Sequence, residues 1–182
     1  AASGLVVIFA FFSVMRPVFH EWQNISNILM STTVTGLLAL GVTFVIITGG
    51  IDLSIGTTMT LSAVVVGKIV VVHNMPLWLG VIGGILSGAA VGAVNGTLIT
   101  ALKLPPFIAT LATMKAAQGV ALIYSHLAPI HFGGSQADHW TKLAQGNVIP
   151  NVPNAVLILA GAAVLASIIL NKTICIGSSY TC

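Results

Sequence analysis

Charge is what this chain has least of. Three acidic and six basic side chains in 182 residues make 5% of the sequence, where a soluble globular domain carries about a quarter. A surface so poor in charge is not that of a water-soluble domain. The six Lys and Arg residues are scattered, and without a basic run to hold phosphates a nucleic-acid partner is excluded. The two cysteines, Cys175 and Cys182, both lie at the C-terminal end, so no disulfide framework is indicated. No G-x-x-x-x-G-K-[ST] and no serine nucleophile elbow occur, which removes ATP hydrolysis by a P-loop and esterase chemistry of that type. The five histidines, His20, His73, His126, His131 and His139, lack the i, i+4 pairing with Glu of a zinc-protease helix, and no metal or other cofactor is expected.

What is present is apolar. Hydrophobic residues make 57% of the chain, mean hydropathy is +1.07 and the net charge is +3. No charged side chain interrupts Trp22 to Ile51 or Ile69 to Leu102, and each run exceeds the roughly 20 residues that cross a bilayer as a helix. Lipid offers the backbone no hydrogen-bond partner, so spanning segments are helices or a closed barrel. Continuous apolar runs without two-residue alternation exclude the barrel. The fold class is all-α, a polytopic integral membrane helix bundle, with residues 1–182 forming one partial domain.

Six apolar segments are expected, at about 3–15, 28–48, 53–72, 77–101, 105–127 and 154–170. Arg16-Pro17, Gly49-Gly50, His73 to Pro76 and Lys103 to Pro106 mark the joints, in keeping with the helix-breaking action of Pro and Gly. Residues 128–153 carry Gly133-Gly134-Ser135, Asp138, Lys142 and three prolines and read as one extramembrane loop. Trp22, Trp78 and Trp140 fall at or beyond segment ends, where their rings prefer the headgroup region. Lys103 and Lys172 share one side and Arg16 and Lys142 the other, which leaves orientation open. Ala1 to Gly4 enter an apolar run without a Met or a basic region, and the chain reads as a fragment.

Three constellations are candidates for function. In Thr48-Gly49-Gly50-Ile51-Asp52-Leu53-Ser54 a carboxylate follows a helix-breaking pair. Asp52 either caps the next helix or marks a helix broken inside the membrane, whose polar backbone is tolerated only when covered by protein or lining a cavity. In the fifth segment Thr110, Thr113, Lys115 and Gln118 read as one broad polar sector. There Lys115 snorkels, pairs with Asp52 or lines a pathway, and Asn95 in the fourth segment faces the same choice. Gly80, Gly84, Gly88, Gly92 and Gly96 recur every fourth residue and read as a helix-packing stripe.

Gly41-Val42-Thr43-Phe44-Val45-Ile46-Ile47-Thr48-Gly49-Gly50-Ile51-Asp52-Leu53-Ser54, then Asn95-Gly96 to Lys103, then Leu104-Pro105-Pro106-Phe107-Ile108-Ala109-Thr110-Leu111 resemble the permease subunits of bacterial ABC importers for ribose, xylose and related monosaccharides. The likeness runs from about residue 24 to 172. It implies a dimeric permease in the cytoplasmic membrane, fed by a periplasmic or surface-tethered sugar-binding protein and driven by separate ATPase subunits. It also implies an external loop at about 128–153 and a cytoplasmic segment from about 171. After Lys172-Thr173 the chain departs from the family's Gly-Arg-aromatic sequence and docking helix.

On this reading the protein performs no bond chemistry. Thr48, Gly49, Gly50, Asp52 and Ser54 shape a broken-helix element beside the solute pathway, and Asn95, Thr110, Lys115 and Gln118 line it. The alternatives are a gradient-driven transporter with its coupling site at Gly49 to Ser54 and an intramembrane enzyme using loop histidines.

Overall fold

The computed structural model describes residues 2–131, 146 and 152–177. Its helices are α1 (Ala2–Met15), α2 (Trp22–Ile47), α3 (Ile55–Gly67, extended by a wider π-helical turn over Lys68–Val72), α4 (Leu77–Thr100), α5 (Pro106–Tyr124) and α6 (Asn154–Gly177), with a short 3-10 turn at Pro17–His20. Five of these, α2 to α6, are long and apolar enough to cross a membrane. α1 is equally apolar but its 14 residues extend only about 21 Å, against about 30 Å of hydrocarbon. The expected joints hold within a few residues, except that α2 begins at Trp22 and not at about 28, and α6 continues beyond residue 170 to Gly177. Of the loop expected over 128–153, Asp138, His139, Trp140 and Lys142 lie outside the described residues, as does Cys182.

The chain forms two compact units, 1–37 with 143–182, and 38–142. In the first, Gly36 lets α2 approach Leu159 of α6, whose Cδ2 lies 2.9 Å from where a Cβ would stand. Phe9 meets Phe19 edge to face at 5.0 Å between ring centroids.

The second unit is built on α3, α4 and α5, each packed against the other two, with α4 antiparallel to its neighbours. Leu61, Ala117 and Ala121 form its buried centre, with Val64, Val65 and Val91 against them. Small residues dominate because lipid is as apolar as a leucine and gives helices little hydrophobic reason to associate. Close van der Waals approach and hydrogen bonding must hold them together.

α4 corrects the reading of its glycine stripe. A Cβ on Gly84 would stand 2.7 Å from Cγ2 of Val66, and Gly80 and Gly83 lie as tightly against Val70 and Ile69. At Gly88 contact with α3 loosens to 3.5 Å, and among the described residues Gly92 and Gly96 face nothing within 4 Å. Four residues overshoot one turn by about 40°, so a strict four-residue repeat drifts away from a nearly straight partner. The ridge that stays against α3 and α5 mixes steps of four with one of three: Gly80, Gly84, Ser87, Val91, Asn95. Outward positions such as Ile85 and Leu86, 65% and 63% exposed, suit contact with lipid chains. Trp22 and Trp78 are exposed within the first turns of α2 and α4, where interfacial anchoring is expected.

Candidate functional site

The end of α2 is fixed by its glycines. Gly49 has φ +75°, a left-handed conformation that L side chains resist. Its N–H donates to Ile46 O at 2.9 Å while the N–H of Gly50 reaches back to Val45 O at 3.0 Å. This is a Schellman closure. The Thr48 hydroxyl adds a bond to the same Val45 carbonyl at 2.8 Å, so the Val45 and Ile46 carbonyls are satisfied without water.

The next residues run as irregular backbone until α3 begins. Asp52 does not cap α3 as a sequence N-cap would, because the residue in that position is Ser54. Instead Oδ1 of Asp52 accepts both the backbone N–H and the hydroxyl of Ser54, each at 2.7 Å, turning the chain two residues early. The Ser54 carbonyl then accepts the Thr58 N–H at 2.8 Å and the hydroxyls of Thr57 and Thr58 at 2.9 and 2.8 Å. On the other side the Thr110 hydroxyl of α5 accepts the Leu53 N–H at 3.3 Å and lies 3.1 Å from Ile51 O. Irregular backbone is held when its polar groups find partners; Thr110 accepts the Leu53 N–H, and its single proton lies within reach of both Ile51 O and, at 2.8 Å, Pro106 O.

Ser54 joins this turn to the bundle. Its hydroxyl accepts from Nδ2 of Asn95 at 2.9 Å, and Oδ1 of Asn95 accepts the Thr113 hydroxyl at 2.5 Å. A carboxylate only accepts, so Ser54 donates to Asp52 and must itself accept from the amide nitrogen. That leaves the amide oxygen for Thr113. The direction of the whole chain of bonds, Thr113 to Asn95 to Ser54 to Asp52, is set by the acid. Ser54, Thr110, Asn95 and Thr113 are 1%, 2%, 7% and 8% exposed, and Asp52 is half-buried. Asn95 lies five residues before the end of α4 and Thr113 seven after the start of α5. The knot therefore sits about 7 to 10 Å inside those helix ends at 1.5 Å per residue.

Of the residues singled out from sequence, Gly50, Asp52, Ser54, Asn95 and Thr110 come together, while Thr48 and Gly49 close the helix before them on its exposed side. Thr113 completes the knot. Lys115 and Gln118 do not join it, so α5 carries no single polar sector. Two residues turn a helix by about 200°, which puts Lys115 nearly opposite Thr113, and both Lys115 and Gln118 are exposed. No ion pair between Lys115 and Asp52 forms among the described residues. α2 and α3 are each of spanning length, so the irregular segment joins two spans and does not divide one. Among the described residues no three His, Cys, Asp or Glu side chains gather as metal ligands would.

Five helices of spanning length among the described residues, tied by a buried knot of hydroxyl and amide groups, define a multi-pass membrane protein. Residues 24–175 match the family described as branched-chain amino acid transport system / permease component, and the chain belongs to that family. It is a family of transport permeases and not of enzymes, and the protein is a multi-pass protein of the cytoplasmic membrane. The ribose import permease protein RbsC of Bacillus subtilis is 38% identical over 170 residues, 93% of this chain and 52% of that protein. The Escherichia coli protein of the same name is 34% identical over 171 residues, 93% and 53% respectively. The D-allose transport system permease protein AlsC of Escherichia coli is 38% identical over 122 residues, 66% of this chain and 37% of AlsC. The chain thus spans about half the length of the ribose permeases it matches. No solved structure matches it.

Proposed function

We propose that the chain is the N-terminal part of the membrane subunit of an ATP-driven importer that carries a neutral monosaccharide, ribose or a close relative, across the bacterial cytoplasmic membrane. The observation that carries this is identity of 33–38% to ribose import permeases along 93% of the chain. Residues 1–182 belong on this reading to one permease domain, which pairs with a second protomer, receives sugar from a binding protein and is driven by a separate ATPase subunit. It catalyses no bond change itself.

The division of labour follows the geometry. Gly49, Gly50, Asp52, Ser54, Asn95 and Thr110 hold the irregular segment against α4 and α5 and keep its shape through the transport cycle. Lys115, on the opposite side of α5, and Gln118, on the flank between, line the pathway. An ammonium facing lipid at mid-span costs roughly 2.5 to 3.5 kcal/mol on insertion scales, so Lys115 belongs against water, solute or another part of the permease.

The test is uptake of labelled ribose by cells carrying the full-length permease, its ATPase and its binding protein. Uptake is expected to vanish when the P-loop lysine of the ATPase is replaced. Transport that survives ATPase loss would replace this reading with a gradient-driven carrier, and absence of uptake of any pentose or hexose would remove the substrate class.

A further inference from the structure

Between α3 and α5, wholly within residues 38–142, lies a cavity of about 360 Å³, within the range of small-molecule sites. Val64 and Ala121 are among its apolar walls, while Thr57 and Thr60 of α3 and Gln118 and Ser125 of α5 supply its polar groups. Ala128 to Ile130 line it beyond the end of α5, and Ile130 packs over Gly67, 3.0 Å from where a Cβ would stand. Among the described residues no charged side chain is part of the wall, and Lys115, one turn before Gln118, is not in it.

The polar groups are not equivalent to hydroxyls in water. Thr57 donates its proton to Ser54 O at 2.9 Å, Thr60 to Gly56 O at 3.1 Å and Ser125 to Leu122 O at 3.1 Å. A hydroxyl has one donor and two acceptor positions, so with the donor committed to its own helix each presents only lone pairs. Within walls that are mainly apolar, the few polar groups are therefore mostly acceptors, and Gln118, without a partner among the described residues, adds one more acceptor and two donors. An anion would face repelling lone pairs, and a cation would find no counter-charge among the described residues. A hydrocarbon chain would leave the Gln118 amide unpaired.

We propose that this cavity is a resting site for an uncharged, polyhydroxylated solute, whose O–H groups donate to Thr57, Thr60 and Ser125 while Gln118 bonds in both directions. The inference rests on the importer reading above and adds where the solute pauses: along α3 and α5, beside the knot and not in it. Only a few weak polar contacts hold it, as a site that must release its cargo requires.

The experiment uses the full-length permease assembled with its ATPase and binding protein, with Cys175 and Cys182 replaced by Ser as background. In that protein Gln118→Cys is expected to react with a charged, membrane-impermeant methanethiosulfonate, and saturating ribose is expected to slow the reaction several-fold. Separately, Gln118→Leu and Thr60→Val are each expected to lower the maximal rate of ribose uptake about tenfold, the effect of one lost hydrogen bond. ATPase rate and membrane abundance should not change, and Ile85→Ala, outside the cavity, should leave uptake as it was. The proposal is overturned if the residue-118 thiol reacts only with lipid-permeable N-ethylmaleimide, if ribose gives no protection, or if Gln118→Leu transports at the normal rate. Should uptake survive loss of the ATPase, the importer reading falls while ribose protection at position 118 still decides the cavity.

Discussion

The knot at Ser54 makes a prediction about non-additivity. Replacing Asn95 by Ala removes two side-chain bonds, to Ser54 and from Thr113. Such bonds between membrane helices average about 0.6 kcal/mol and reach about 1.7, so the loss is about 1 to 3 kcal/mol. Nothing is left stranded: Thr113 keeps the Ala109 and Thr110 carbonyls at 3.1 Å and Ser54 keeps Asp52. Ser54→Ala differs. It removes the hydroxyl bond to Asp52 and also leaves Nδ2 of Asn95 buried without an acceptor, an orphan worth about 1 to 3 kcal/mol by itself; the total is about 2 to 4 kcal/mol. In the double variant the orphan no longer exists, so the cost stays at about 2 to 4 kcal/mol and falls short of the sum by at least about 1 kcal/mol. Equilibrium unfolding of the full-length permease in mixed detergent micelles titrated with dodecyl sulfate measures all three. Additivity within about 0.5 kcal/mol would refute the proton order assigned to Thr113, Asn95, Ser54 and Asp52.

Three further outcomes follow from single residues. Gly49→Ala is expected to cost about 1 kcal/mol through backbone strain at φ +75°, since no atom lies within 4 Å to clash, and Gly49→Asn less, because Asn tolerates that conformation; thermal unfolding of the purified protein reads both. On α4, Gly84→Ala forces Val66 aside and is expected to cost about 1 to 3 kcal/mol, whereas Gly92→Ala meets open space and is expected to lose no stability, with a helix-propensity gain of up to about 1 kcal/mol. Equal losses at the two positions in the same unfolding assay would contradict the drift of the stripe. Asp52→Asn keeps an acceptor oxygen toward the N–H and hydroxyl of Ser54, while Asp52→Ala removes it. Normal membrane abundance is therefore expected for Asn and reduced abundance for Ala, and reduced uptake by abundant Asp52→Asn protein would assign the charge itself a part in transport.

Most of the helical framework was legible because each span is a long apolar run and the joints carry Pro or Gly. Local chemistry of this kind needs no distant partner. The Gly49-Gly50 terminator was legible for the same reason. The Ser54–Asn95 bond was not, since the two residues are 41 positions apart and nothing in either segment names the other. Asn95 stood out only as an amide in an apolar run, with pairing and pathway both open. The polar sector on α5 failed for a geometric reason: Thr110 and Thr113 are three apart and share a face, but Lys115 is two further on and points away. The glycine stripe was legible as a packing ridge that winds about 40° per step, but not that α3 fails to follow the winding, so that only its first half stays against α3.

The misgrouped residues divide α5 into two unlike sides, and that division bears on how a moving solute and a rigid subunit coexist. Thr110, Thr113, Ala117 and Ala121 are buried and hold the helix to α3 and α4 by close packing and fully paired hydroxyls. Gln118 and Ser125 lie on the flank of that face, where the cavity opens. Sugar hydroxyls passing there compete for lone pairs already turned outward, and no bond of the knot has to break to receive them. A groove whose polar groups were also the ties between helices would loosen the bundle each time a solute bound. Here the ties lie at Ser54, Asn95 and Thr113 and the proposed contacts at Thr57, Thr60, Gln118 and Ser125. The two sets share one atom, the carbonyl oxygen of Ser54, which already accepts the hydroxyls of Thr57 and Thr58 and the Thr58 N–H.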